Sequence, residues 1–111
     1  MSARTSEALL ADITEAIKRT QQYVGKMTYA EFLKDAKTQD AVVRNIEIIG
    51  EAVKKLPETF TQAHADIPWK DMARTRDKLI HDYFSLNYDI LWNIITEELP
   101  KVFSSLQKIQ K

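Results

Sequence analysis

Apolar residues recur along this chain every three or four positions rather than every second one, and that pattern buries one side of a helix, not one face of a strand. Leu9, Leu10, Ile13, Ile17 and Val24 repeat this way, as do Ala41, Val42, Ile46, Ile49, Ala52, Val53 and Leu56, and again Ile90, Leu91, Ile94, Ile95 and Leu99. Strand signals are nearly absent, and the 111 residues hold only two glycines and three prolines. The expected fold is all-α, an antiparallel bundle of about five helices in one domain covering residues 1–111. A chain of this length buries only a modest core, so an active site is expected to use a surface shared between copies.

Punctuation residues divide the pattern. The first helix is predicted from about Ser6 to Val24, with Gly25 as its stop. Thr28-Tyr29-Ala30-Glu31 matches a capping box and opens a short helix through Phe32 and Leu33. A long helix is expected to start at Thr38 and to end before Pro57. The stretch from Pro57 to Pro68 has no sustained period and reads as a loop with at most one helical turn. Asp66 and Pro68 suit the start of a fourth helix reaching about Phe84, and Asn87 can cap a fifth. Pro100 is expected to bend or restart that last helix before an amphipathic tail, Val102 to Ile109.

Composition narrows the classes of function. With no cysteine, disulfides and thiolate zinc sites are excluded, and a reducing cytosol fits. The first residues carry no run of signal-peptide type and no segment has the length of a membrane span, so a cytoplasmic protein without membrane attachment is expected. Sixteen Lys and Arg balance sixteen Asp and Glu, which argues against a protein that coats DNA through its overall charge. A small local cluster of cations would still suffice to grip RNA phosphates.

The stretch Arg76-Asp77-Lys78-Leu79-Ile80-His81-Asp82-Tyr83 is where chemistry is expected. The apolar stripe of this helix runs Trp69, Met72, Arg76, Leu79, Ile80, Tyr83, so a guanidinium occupies a place that the pattern reserves for an aliphatic side chain. An arginine buried or held at an interface is costly without a partner. Two readings follow: Arg76 is poised for an anion, or it forms a salt bridge at the core edge with Glu47 or Glu51. Asp77 and His81 are neighbours on one helical face, so Asp77 can fix the imidazole tautomer and favour its protonated form. Arg76 and Tyr83 superpose two turns apart, with packing as the plainer role for the tyrosine.

Cleavage of RNA suits an Arg and a His without metal or cofactor. The ribose 2′-hydroxyl is an internal nucleophile, the imidazole serves as general base or acid, and the guanidinium stabilises the pentavalent phosphorus. One copy of the Arg76 and His81 pair supplies one histidine, so a symmetric homodimer would bring an acid and a base to one cleft. His64 is read as structural or solvated, Gly50 as a point of close helix packing, and Trp69 and Trp92 as packing anchors.

These residues resemble a known family. Arg76, four residues, His81, one residue, Tyr83, preceded by Ile48-Ile49-Gly50-Glu51-Ala52 and Ile67-Pro68-Trp69 and followed by Leu91-Trp92, are similar in order to the HEPN domains, and within them to the HepT-like toxins of toxin–antitoxin modules. The resemblance runs from about Val43 onward, and departs where members often have Asn after the arginine and this chain has Asp77. It implies a homodimeric, metal-independent endoribonuclease acting on tRNA or mRNA, with Arg76 and His81 of both subunits in one cleft. It further implies a minimal nucleotidyltransferase (MNT) antitoxin that transfers AMP from ATP to Tyr83, placing negative charge and bulk beside the catalytic pair. The alternative is a helical dimer without catalysis of its own that binds nucleotide or serves a nucleotidyltransferase.

Overall fold

The computed structural model describes residues 4–79 and 86–109, with the backbone alone for 76, 78 and 79. The described residues form helices and no strand. α1 covers Ser6–Val24, as the sequence predicts: the Thr5 hydroxyl accepts a hydrogen bond from the Ala8 amide at 3.0 Å. At its other end Gly25 adopts φ +53°, a conformation that few side chains tolerate. α2, Tyr29–Leu33, has the expected capping box, with Glu31 N donating to Thr28 Oγ1 at 3.1 Å and Thr28 N to Glu31 Oε1 at 2.8 Å.

α3 runs Ala36–Lys55 and begins earlier than the expected Thr38. Asp35 is the cap, taking hydrogen bonds from the Thr38 amide at 3.0 Å and its hydroxyl at 2.8 Å, so Thr38 is the third residue of the helix rather than its entry. Gln39 donates to the Phe32 carbonyl at 2.8 Å and ties α2 to α3. In the stretch from Pro57 to Pro68, read as a loop with room for one helical turn, Glu58–Ala63 form the short helix α4 and the rest is loop. Pro57, with φ −61°, has its carbonyl placed to accept from the Phe60 and Thr61 amides, and because α4 buries none of its residues it leaves no apolar period to read.

α5, Trp69–Leu79, begins just after Pro68 as predicted; the stretch expected to carry it to Phe84 lies outside the described residues from 80 to 85. The final helical rod is α6, Tyr88–Asn93, a π-helical turn, Ile94–Glu98, and α7, Leu99–Ile109. Asn87 caps it by accepting from the Ile90 amide at 3.1 Å. The sequence predicts a bend or restart at Pro100, and α7 restarts at Leu99 after the π turn. Leu99 N–H bonds five residues back to the Ile94 carbonyl, and in that register residue 100 would serve Ile95, but proline has no N–H. Gln21 of α1 supplies the missing donor, its Nε2 lying 3.0 Å from the Ile95 carbonyl.

The core lies where α3 packs against α1 on one side and α5 on another, with α7 returning onto α1 and α6 meeting α5. Ile13, Ile17, Phe32, Val42, Leu91, Ile95 and Leu106 are fully buried. Trp69 and Met72 seat α5 in the same cluster, at about 1.5–3 kcal/mol for each large apolar side chain removed from water. No helix among the described residues is long and apolar enough to cross a membrane.

Candidate active site

α5 is held from its first residue. Trp69 is buried and its indole N–H donates to the His64 carbonyl at 2.9 Å, while Met72 enters the core and its amide bonds to the Pro68 carbonyl at 3.0 Å. His64 itself is half-buried against Phe60, ring centroids 4.7 Å apart, which fits the structural rather than the solvated of the two roles expected of it. Gly50 sets the distance between α3 and α5. A Cβ built there would meet the Ala73 carbonyl oxygen at 3.4 Å and that of Met72 at 3.6 Å, the close approach that its place inside a helix predicts. Position 76 follows one turn after Met72 and Ala73, on a segment of backbone that α3 packs against.

Of the predicted site residues, Arg76 falls within α5 and Asp77 is exposed on it. His81 and Tyr83 lie outside the described residues, and with them the geometry of the Asp77–His81 and Arg76–Tyr83 pairs. Of the two carboxylates considered as partners for Arg76, Glu51 is exposed and lies 3.8 Å from Lys54 on its own helix, whereas Glu47 is half-buried. Among the described residues no group of three or more His, Asp or Glu is arranged to hold a metal ion.

Sequence reasoning missed the contact that anchors the downstream side of this stretch. The Tyr29 hydroxyl of α2 donates a short hydrogen bond to Asp89 Oδ1 of α6, three residues after the first described position beyond the motif. That bond, then partial burial and the repulsion between Asp89 and a phenolate, hold the Tyr29 phenol above its ordinary pKa of 10.0. The ring lies 5.5 Å from Trp92, which sits 5.2 Å from Phe32, so the anchor Trp92 serves is the junction of α2 and α6. Sixty positions separate Tyr29 from Asp89, and no local signal joins them. Beside α5 a cavity of about 260 Å³ opens toward the π turn, floored by Met72, Ile94, Leu99 and Val102.

Comparison with known proteins adds the following. The family described as ribonuclease HepT-like matches residues 13–109. A Methanocaldococcus jannaschii protein provisionally named as an RNase is 48% identical over 111 residues, covering 100% of this chain and 92% of its own. A protein of Thermococcus cleftensis named as a probable ribonuclease HepT is 43% identical over 108 residues, 97% of this chain and 98% of its own. One from Caldanaerobacter subterraneus, provisionally named as an RNase, is 40% identical over 106 residues, 96% of this chain and 95% of its own. No solved structure matches the chain.

Proposed function

We propose, from the premise that this chain belongs to the HepT-like ribonuclease family, that it is an endoribonuclease whose chemistry rests on Arg76 and His81. The observation that carries the reading is that a family match spanning residues 13–109 contains a guanidinium-bearing position on a core-anchored helix, followed by a histidine in the same short motif. His81 acts as general base on the ribose 2′-hydroxyl, whose oxygen attacks the adjacent phosphorus. The P–O5′ bond breaks, the 5′-oxygen leaves with a proton from a second imidazole, and a 2′,3′-cyclic phosphate remains. Arg76 holds the charge that builds on the phosphoryl oxygens, and Asp77 orients His81 by accepting its other N–H.

Each copy brings one motif histidine, His81, so an acid and a base at one cleft take two copies, and the active form is a homodimer joined around the motif-bearing helix. In the same reading the chain is the toxin of a toxin–antitoxin pair, silenced when an MNT-type nucleotidyltransferase places AMP on Tyr83 and fills the cleft with bulk and negative charge. RNA cleavage by the purified, unmodified protein in EDTA tests the assignment. His81→Ala is expected to lower kcat by about 10²–10⁴-fold and Arg76→Ala by about 10²–10³-fold, with cyclic phosphate at the new ends. Parent-like cleavage by both variants would remove the site, and 3′-hydroxyl ends would remove the mechanism.

A further inference from the structure

The charges of this chain cancel in number but are not all paired in space. Arg4 lies 2.8 Å from Asp12, Arg19 is 3.2 Å from Glu15, and Lys54 is 3.8 Å from Glu51. On α5, Lys70 and Arg74 are both exposed, and neither forms an ion pair with another described residue. They stand one helical turn apart, about 6 Å along the axis, and share an arc of about 60° with Asp77. Asp77 is also exposed, and it is the residue whose place in the motif pairs it with His81. Trp69 and Met72 anchor the helix in the core, so the two cations are mounted on a fixed support rather than a loop.

We infer that Lys70 and Arg74 form a phosphate track: successive phosphates of a single RNA strand lie along this exposed face of α5, which feeds the strand toward the motif. The inference rests on the ribonuclease reading and adds two positioning residues to it. Neither cation reads a base, so the track binds strands without regard to sequence and leaves the choice of cleavage site to other contacts. It also accounts for how a chain with no net charge holds a polyanion, since local cations that release counterions suffice. Asp77 at the far end of the arc repels phosphate, which stops the track beside the catalytic stretch.

The test measures anisotropy of a labelled 2′-O-methyl RNA, which lacks the attacking hydroxyl, against full-length protein over a range of salt. The double variant Lys70→Gln, Arg74→Gln is expected to weaken binding of every sequence tried and to lower the slope of log K against log salt by about 1.4, at about 0.7 per lost single-strand contact. On cleavable RNA it should raise KM with kcat retained. Lys70→Arg with Arg74→Lys should restore both, and Lys18→Gln with Arg19→Gln on α1 should leave both at parent values. A double variant folded by circular dichroism with a parent salt slope would overturn the track while the parent still cuts RNA. A parent that neither binds nor cuts RNA would overturn the ribonuclease reading as well.

Discussion

Tyr29 shows how one side chain reports on the surroundings of the motif. Its phenol is shifted upward by the bond to Asp89, so the folded protein holds the proton more tightly than the unfolded chain does. Stability from this contact is therefore complete below the ordinary phenol value of 10.0 and is lost as pH rises through the raised value. Ultraviolet titration should find the Tyr29 phenolate forming above 10.0, and Asp89→Asn should bring it back toward that value. An unmoved titration curve would mean that the hydrogen bond does not persist in solution. Glu31 behaves in the opposite sense: bonds from the Thr28 amide and hydroxyl lower its pKa from 4.5, so the capping box contributes above that value and is lost as acid protonates the carboxylate.

Elements were legible where a local rule sets them. Thr28 and Glu31 announce α2, Asn87 announces α6, and the spacing from Leu9 to Val24 gives α1, because each signal lies within one or two turns of what it controls. Thr38 misled because Asp35 also reaches its amide, and a capping pair read one residue type at a time gives the wrong member. The helix α4 was hidden because it buries nothing, and the π turn because its decisive partner, Gln21, lies seventy-four positions away. The candidate site was legible as a motif, since Arg76, Asp77, His81 and Tyr83 are close in sequence, and Gly50 was legible as a close approach from its place inside a helix, whereas the anchor from Asp89 is tertiary.

The π turn carries its own prediction. Gln21→Ala leaves the Ile95 carbonyl without its donor and should cost about 1 kcal/mol in urea unfolding. With Pro100→Ala in place, an N–H at residue 100 can serve that carbonyl, so Gln21→Ala should cost less than half as much. Equal costs in both backgrounds would mean that Gln21 does not substitute for the proline.

At the scale of the whole molecule, the proposed catalysis belongs to two chains rather than one. Light scattering is expected to give twice the 12.8 kDa mass of the chain, and specific activity should fall as the protein is diluted below its dimer dissociation constant. Activity that stays proportional to protein down to the monomeric range would place a complete site within one copy and remove the need for a shared cleft.

α7 packs back onto α1, and Leu99, Val102 and Leu106 are buried in the same cluster as Leu9, Ile13 and Ile17. Translation therefore finishes every other part of that cluster before the helix that closes it exists. A nascent chain stopped at Glu98 should stay open and sensitive to protease at α1, so competence to cut arrives only after the ribosome has passed the closing helix.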